Sequence, residues 1–520
     1  MASKILMGDM PELMENILNN LKKDPNSLYS CSLVSRHWCK MSIPILWQNP
    51  FLFNQKPLYI SEYFSSLDED EIYILKEYGI NLKISRKLFN YAKFLKDLNL
   101  SNLESKARVW TSLNLVEPIS SKIHLDHLDA LVNIVINLLL KLLFESGAVL
   151  HKLVLSFSEL FEFKPEIFYS IGRNELFFSR LQNLSLSVIP EFNIENATAF
   201  LKVLAKNITT ISSLELEIYS EYGPRSFHSL FHAIIQIIKS QDQLKWFNLV
   251  GEDHPTEFYG IISTLEYQKN SLQEVAIEGC AYSKEFEVLK DCKNLETLRI
   301  WNCSSKLLNL LDCKISTLDI VNCAIDVHTI PLILEKYGLL IQQLRFESKN
   351  SDDFDEALFF LEAFKSFCPN ITYLYISSIE ISIQLLELIG SLQKLQFLSL
   401  RCFFDDDIQE EELKVRVIQF AEILPLTLQY LDLGDTFLLC QPCLDIFLNY
   451  CNAPLKKLII FRLDDEKDTR ALIEFCIRNK SLNYVGVYRY SDLDENFRKE
   501  AEAHDANVVL VPSQRISVNC

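Results

Sequence analysis

The chain has 520 residues, 49% of them hydrophobic, and carries a formal net charge of −18. Its hydrophobic content excludes global disorder, and its length predicts several domains or one long repeat array. The acidic balance disfavours nucleic-acid binding, because an acidic surface repels phosphate groups. Fourteen cysteines are scattered singly, and no secretory segment begins the chain. These features predict reduced thiols and a cytoplasmic and/or nuclear location.

The first fifty residues predict about three short helices. Asp9 can cap the first helix with Glu12 reaching back, and Pro11 suits only a first helical turn. One apolar face then follows at helical spacing: Leu13, Ile17, Leu18 and Leu21. Asp24-Pro25 begins a second helix by the same chemistry. So small a unit has too little core to cover this face, which predicts that a partner covers it.

The same segment resembles an F-box. The run MPELMENILNNL, followed by DPNSLYSCSLVSRHWCKMSIPILW, contains the Pro, Glu-Leu, aliphatic pair, Val-Ser-Arg-x-Trp and Leu-Trp of that family. Met10 replaces the usual Leu, and the residue that many members place between Pro and Glu is absent. The resemblance implies docking on the Skp adaptor of a cullin–RING ubiquitin ligase. Carried over residue by residue, the implied docking edge is Met10, Pro11, Leu13, Ile17, Leu18 and Leu21. Trp38 is expected mainly in the domain's own core.

An apolar run, LVNIVINLLLKLLF, occupies residues 131–144. Asn133, Asn137 and Lys141 interrupt it every four residues, which places all three on one helix face. The run is too short and too polar to cross a bilayer, so it predicts a buried amphipathic helix and no membrane anchor.

The pattern L-x-x-L-x-L, with apolar substitutes, recurs along most of the chain. Copies begin at residues 95, 150, 181, 211, 244, 272, 295, 315, 341, 371, 395, 428, 455 and 482. From residue 150 onward the spacing is 20 to 33 residues. Each copy predicts a short strand with one buried face, and helical stripes such as residues 227–238 lie between copies. Because no strand–helix unit can bury its apolar face alone, the units must stack.

This repeat resembles the leucine-rich repeat, including Cys280, Cys303 and Cys323 three residues after the last apolar position. The expected fold is α/β: a short all-α F-box followed by a curved solenoid, with parallel strands on the concave face and helices outside. We expect an F-box over residues 1–50, a partly helical connecting segment over 51–92, and about 13–15 irregular repeats over 93–520. The gap between residues 95 and 150 leaves room for a degenerate repeat around Leu113-Asn114-Leu115. The 20-residue interval after Leu295 leaves room only for a turn or a stub helix.

Strand positions that point away from the core predict a target-binding surface. On neighbouring strands these positions bring together Arg299, Trp301, Arg345, Tyr375 and Arg401. Arg, Trp and Tyr are enriched at interface hot spots, so we hypothesise binding of an acidic or phosphorylated segment. The alternative is that these are ordinary strand residues paired with Asp319 and Glu347. Earlier strands carry Glu215 and Glu217, which favour basic partners.

Motifs of catalysis and cofactor binding are missing from the sequence. Cys440-x-x-Cys443 has no second ligand pair, and His228 and His232 have no completing ligand, so both patterns are interpreted as structural. The acidic run Glu410–Glu412 suits a helix start. We therefore expect no enzyme activity, no metal and no cofactor.

Together these features predict a substrate-recognition subunit of an SCF-type ubiquitin ligase. Its expected partners are a Skp-type adaptor, the cullin–RING ligase reached through that adaptor, and an unidentified target protein. Neither a nucleic acid nor a membrane is expected as a partner. The alternative is a scaffold protein that binds the adaptor without ubiquitylation of a target.

Overall fold

The computed structural model of the chain describes residues 11–53, 56–80, 82, 88–115, 123–157, 162–174, 176–188, 193–219, 224–252, 254–310, 314–323, 329–347, 354–403, 408–434, 443–463, 466–488 and 509–512. The chain folds as two compact units, residues 1–272 and 273–520. Each unit is described by itself below. The predicted domain boundaries near residues 50 and 92 stay predictions.

Three short helices open the first unit: α1 (Pro11–Asn19), α2 (Pro25–Ser32) and α3 (Arg36–Leu46). The carboxylate of Asp24 caps α2 by accepting the Ser27 N–H at 3.1 Å. It also accepts the Ser27 hydroxyl at 2.6 Å, and the hydroxyl bond, followed by the N–H bond, lowers the pKa of Asp24. The hydroxyl of Ser35 caps α3 by accepting the Trp38 N–H at 3.2 Å. The three helices predicted from the sequence are therefore present, and the predicted second cap is the one observed. The proposed Asp9 cap lies outside the described residues.

Helices α4 (Ile60–Phe64) and α5 (Glu69–Glu77) precede the first strand of the repeats, and α6 (Leu100–Asn114) and α7 (Ile123–Glu145) follow it. Trp110 on α6 is fully buried, packs edge-on against Phe64 at 5.0 Å, and donates its indole N–H to the Ser61 hydroxyl at 3.0 Å. The suggested repeat around Leu113 is wrong. Those residues complete helix α6, and Leu115 forms an antiparallel bridge with Ile80.

Helix α7 contains the long apolar run, and residues 127–145 are long and apolar enough to cross a membrane by length and composition. Just over half of that stretch is buried inside the protein. The polar residues that interrupt the run have partners in neighbouring segments. The Asn137 amide donates to the carbonyl of Glu162 and accepts the Lys164 N–H, both at 2.9 Å. Lys141 contacts Glu71 at 2.6 Å, and this hydrogen bond raises the pKa of the lysine. These contacts are those of a core helix.

Five parallel strands follow one another in the first unit: β1 (Asp97–Asn99), β2 (Lys152–Ser156), β3 (Asn183–Val188), β4 (Ser213–Tyr219) and β5 (Trp246–Glu252). The helices between them are α8 (Pro165–Arg173), α9 (Ile194–Asn207) and α10 (Pro224–Ser240), with a 3₁₀ helix at Ser263–Gln268. Along each strand, inward residues such as Leu184 and Leu186 are buried while their neighbours are partly exposed.

A repeated hydrogen-bond pattern connects successive strands. The carbonyl just before each strand accepts two consecutive N–H groups from the following strand. The His151 carbonyl, for example, accepts from Gln182 and Asn183 at 3.0 and 3.1 Å. Gln48, directly after α3, extends this pattern beyond the first strand. Its carbonyl accepts the N–H groups of Lys96 and Asp97, both at 3.0 Å. Backbone hydrogen bonds therefore connect the N-terminal helices to the start of the sheet.

Ten parallel strands, each paired with its sequence neighbour, form the second unit: β6 (Glu274–Glu278), β7 (Thr297–Trp301), β8 (Thr317–Val321), β9 (Gln343–Glu347), β10 (Tyr373–Glu380), β11 (Phe397–Phe403), β12 (Tyr430–Asp432), β13 (Lys457–Ile460), β14 (Tyr484–Val487) and β15 (Val509–Pro512). Its helices are α11 (Thr329–Tyr337), α12 (Phe354–Phe367), α13 (Ile383–Ser391), α14 (Glu410–Ile423), α15 (Leu444–Tyr450) and α16 (Glu466–Arg478). Shorter 3₁₀ helices span Lys284–Asp291, Ser305–Leu310 and Gly338–Leu340. Every predicted strand is present, and the short interval after Leu295 holds a 3₁₀ helix. Strand β15 was not predicted.

The three predicted turn cysteines lie in buried turns after β6, β7 and β8. Asn302 and Asn322 precede two of them with φ of 53°, a conformation that asparagine tolerates better than most residues. The Cys323 thiol donates to the carbonyl of Ile300 on the preceding strand at 3.3 Å. Burial raises the pKa of Cys303 to about 12. Each of the three cysteines is thus a small buried side chain whose thiol donates a weak hydrogen bond to a backbone carbonyl.

Candidate functional site

Helix α1 has two apolar stripes, and they have different surroundings. Met14 and Leu18 are almost completely buried and form a small core with Leu28 and Ile45. Leu13 and Ile17, four residues apart on the adjacent stripe, keep 43% and 48% of their surface exposed. The small domain therefore covers the stripe of Met14 and Leu18 and leaves the stripe of Leu13 and Ile17 exposed.

The residues of the predicted docking edge therefore fall into a buried group and an exposed group. Leu18 is buried in the domain's own core, so a partner cannot contact it unless the domain opens. Its predicted docking role is therefore corrected to a core role. Leu21 is partly buried against the same core, as is Trp38. Pro11 begins helix α1, and Met10 lies outside the described residues. The exposed edge is therefore Leu13 and Ile17.

Further apolar residues not singled out for docking are also exposed in this domain, among them Leu33 and Val34. Leu33 and Val34, between α2 and α3, are 69% and 63% exposed. They lie between the end of α2 and the Ser35 cap of α3, outside both helices. The signal available in the sequence was the N-cap serine directly after an apolar pair.

The second surface is the side of the β6–β15 sheet on which outward strand residues lie. The register places Arg299, Asp319, Arg345, Tyr375 and Ser399 in one row across β7 to β11. A parallel row holds Trp301, Val321, Glu347, Ser377 and Arg401. Of the five predicted target-binding residues, Arg345 and Tyr375 are direct register neighbours, and the others lie on β7 and β11 of the same sheet surface.

Carboxylates pair with all three arginines of these two rows, most closely with Arg299 and Arg401. Arg299 pairs with Glu274 and donates through Nε to Asp319 at 2.9 Å. Burial raises the pKa of Asp319, while the charges of Arg299 and Arg345 oppose that rise. Arg401 donates both terminal nitrogens to the Asp432 carboxylate, each at 2.9 Å, and one of them to the Tyr488 hydroxyl at 2.7 Å. The surface is therefore less basic than its arginines suggest.

Arg345 and Trp301 retain unused hydrogen-bond donors. The Arg345 guanidinium lies 4.7 Å from the centre of the Tyr375 ring and 3.5 Å from a Glu347 oxygen. Its Nε and the indole Nε1 of Trp301 are shielded from water, and neither finds a hydrogen-bond acceptor among the described residues. Shielded donors without acceptors are costly, so an incoming acceptor at this position would be stabilised.

A row of aromatic side chains lies beside the charged residues. Tyr373, Phe397 and Tyr430 occupy equivalent positions on β10, β11 and β12, with ring centres 6.3 and 5.7 Å apart. Burial raises the pKa of Tyr430. This row was not predicted, because only the two later outward positions of each repeat entered the predicted surface. The period of two along a strand places this earlier position on the same surface.

Within the described residues, no group of His, Cys, Asp or Glu could hold a metal ion. His228 and His232 are exposed on α10, and Cys443 is buried where α15 begins. Cys440, the other cysteine of that motif, lies outside the described residues. Glu410–Glu412 form the first turn of α14, where Lys414 pairs with Glu410 and Arg416 with Glu412.

The domain at the N-terminus and the repeating strand–helix units define the class of protein. An F-box-like family model matches residues 11–53. The chain therefore has an F-box-like domain followed by leucine-rich repeats.

Two solved structures resemble the chain at low sequence identity. The crystal structure of the Rad7 and Elc1 complex of yeast is 14% identical, covers 80% of this chain and 94% of that chain, and gives a TM-score of 0.37. A leucine-rich-repeat protein of Leptospira interrogans is 14% identical, covers 85% of this chain and 98% of that chain, and gives a TM-score of 0.28. No curated protein sequence matches the chain.

Proposed function

We propose that this chain is a substrate-recognition subunit of an SCF-type ubiquitin ligase. The observation that carries the proposal is the exposed apolar stripe of Leu13 and Ile17 on an F-box-like domain that precedes a repeat fold with its own separate binding surface. The F-box-like domain binds a Skp-type adaptor, and the repeats bind the target protein.

The adaptor contact rests on Leu13 and Ile17. Full burial of such a side chain contributes about 1.5–3 kcal/mol, so covering the exposed half of each contributes about 1 kcal/mol. Leu33 and Val34 can enlarge the contact without any rearrangement of the core. The buried Leu18 acts indirectly, because it holds α1 against α2 and α3.

The target contact rests on Trp301, Arg345 and Tyr375. The unused N–H groups of Trp301 and Arg345 require acceptors, which a carboxylate or a phosphate supplies. The row of Tyr373 and Phe397 beside them provides apolar area for a neighbouring side chain of the target. An acidic or phosphorylated segment that also carries an apolar residue fits both features.

In this mechanism the chain acts by proximity. It holds the target near the ubiquitin-transfer machinery that the adaptor recruits, and this raises the effective concentration of the reacting groups. The chemical step belongs to the other subunits.

Co-purification tests the adaptor contact. A Leu13→Asp/Ile17→Asp variant should lose the Skp-type adaptor and cullin that the tagged wild-type chain retains. A Tyr169→Asp/Leu176→Asp variant changes two apolar residues of the same unit that are more exposed than Leu13 and Ile17, and it should retain both. Full adaptor retention by the Leu13/Ile17 variant would refute the proposed edge. Retention of adaptor without cullin by the wild type would favour the scaffold alternative.

Affinity purification with mass spectrometry tests the target contact, with and without proteasome inhibition. Proteins enriched by proteasome inhibition should be lost from a Trp301→Ala/Arg345→Glu variant. The matched control is Tyr484→Ala/Lys457→Glu, which removes an aromatic ring and reverses a positive charge on the same sheet. An unchanged set of partners in the Trp301/Arg345 variant would show that the target binds elsewhere.

A further inference from the structure

A cleft of about 490 Å³ lies between the F-box-like domain and the first repeats, inside the first unit. One wall comes from α1 and α3, with Glu15 and Lys40. The other comes from the segment before β1, with Lys93 and Lys96, and from the residues that precede β2 and β3, with His151 and Arg180. The cleft is therefore located where Gln48 fastens the two parts together.

Positive charge is concentrated in this cleft although the whole chain carries a net charge of −18. Four cationic side chains line it, from Lys40, Lys93, Lys96 and Arg180. In the part of the chain that the structure describes, none of the four side chains forms an ion pair or a hydrogen bond. Among the lining residues, Glu15 supplies the single carboxylate.

The imidazole of His151 also lines this cleft. Its pKa is lowered, first by burial and then by the charge of Lys96, with smaller contributions from Arg180 and Lys22. Asp97 opposes the shift, and it is itself paired with Lys22 at 3.6 Å. Lys96 and Arg180 therefore contribute positive potential at His151, although burial is the larger cause of its lowered pKa.

We propose that this cleft binds a small polyanion that carries several phosphate groups. Its volume lies within the range of about 300–1,000 Å³ typical of small-molecule sites. Several phosphates on one compact ligand match several unpaired cations at one position. A long anion such as a nucleic acid would extend onto the acidic remainder of the protein, so the electrostatics favour a compact ligand.

The bound ligand would contact both the F-box-like domain and the first repeats. It would neutralise like charges that otherwise repel each other across the junction, and so it would stabilise the first unit. This inference goes beyond the proposed function and does not depend on it, because adaptor binding uses Leu13 and Ile17 instead.

Isothermal titration calorimetry of the purified full-length chain with sodium tripolyphosphate tests the proposal. One site should bind the probe, more weakly at higher ionic strength, and the probe should raise the unfolding temperature. A Lys40→Gln/Lys93→Gln/Arg180→Gln variant changes three exposed side chains and should lose affinity on the order of tenfold or more. The control Lys202→Gln/Lys206→Gln/Lys245→Gln removes the same charge from exposed positions of the same unit and should bind normally.

Three results would overturn the proposal. The first is no measurable binding of tripolyphosphate by the wild type. The second is equal affinity in the Lys40/Lys93/Arg180 variant, and the third is tighter binding of hexaglutamate, which would assign the cleft to an acidic peptide. Failure here is distinguishable from failure of the proposed function, because the Leu13→Asp/Ile17→Asp variant keeps every cleft cation and should bind tripolyphosphate normally.

Discussion

The ion pair between Arg401 and Asp432 provides a quantitative test of how the second sheet surface is built. Both terminal guanidinium nitrogens lie 2.9 Å from carboxylate oxygens, and the two side chains are only 15% and 9% exposed. Removing one partner of a pair this buried leaves an uncompensated charge. Asp432→Ala should therefore lower the free energy of unfolding by about 3–5 kcal/mol.

A second ion pair on the same surface serves as the matched control. Arg345 and Glu347 lie 3.5 Å apart, and their side chains are 39% and 23% exposed. Solvent screens such a pair, so Glu347→Ala should cost less than about 1 kcal/mol. The difference between the two substitutions isolates the effect of burial, because both remove one carboxylate beside one arginine.

A double-mutant cycle completes this test. Arg401→Met alone leaves Asp432 with only the Ser399 hydroxyl and the Gly434 N–H as described partners, so it should also be strongly destabilising. Combining Arg401→Met with Asp432→Leu removes both charges and should recover about 2 kcal/mol or more relative to the summed single effects. Urea denaturation, with hydrogen exchange of the β11 and β12 amides, measures these values. If Asp432→Ala costs no more than Glu347→Ala, the pair is not structural, and Arg401 becomes available to a target.

Three further predictions concern the core, a close backbone approach and a buried thiol. Leu18→Ala should lower the unfolding free energy by about 2–5 kcal/mol in urea denaturation, because Leu18 is completely buried, whereas Leu13→Ala should cost less than about 1 kcal/mol. Gly338→Ala should lower it by about 1–3 kcal/mol, because the added Cβ would lie 2.6 Å from the Phe367 carbonyl oxygen. Cys303, with a pKa raised to about 12, should resist iodoacetamide at neutral pH when the modified peptides are analysed by mass spectrometry.

Each of these predictions has a control within the chain. Equal destabilisation by the Leu18 and Leu13 substitutions would contradict the division of α1 into a buried and an exposed stripe. Gly172→Ala adds a Cβ with no atom within 4 Å inside α8, and it should be neutral or stabilising by up to about 1 kcal/mol. The half-buried Cys31 should react before Cys303, and the reverse order would mean that the turn after β7 opens in the native protein.

The strands were predictable because each L-x-x-L-x-L copy carries its own one-sided pattern. Strand β15 was not, since Val509–Pro512 lacks the leucine spacing. The division of α1 depends on which of its two adjacent apolar stripes packs against α2 and α3. The helical periodicity of the sequence does not predict which stripe is buried. The pairing of Arg401 with Asp432 needed the register and the side-chain directions of two strands whose residues are 31 positions apart.

The cluster of cations in the basic cleft was even less predictable from the sequence. Lys40, Lys93, Lys96 and Arg180 are spread over 140 residues, and nothing in their local sequence links them. They meet because the carbonyl of Gln48 fixes where the helical domain joins the first strand. A charge cluster assembled by tertiary structure has no signature that a linear pattern can detect.

The Gln48 contact has a consequence for the exposed side of β1. A terminal strand presents unpaired N–H and C=O groups, and such an edge is a template for pairing with another chain. By accepting the N–H groups of Lys96 and Asp97, Gln48 occupies part of that edge. The helical domain therefore shields the start of the sheet as well as carrying an exposed apolar edge. A shortened protein that begins after residue 50 would open the β1 edge, and self-association through that edge is the outcome to look for when the repeats are produced alone.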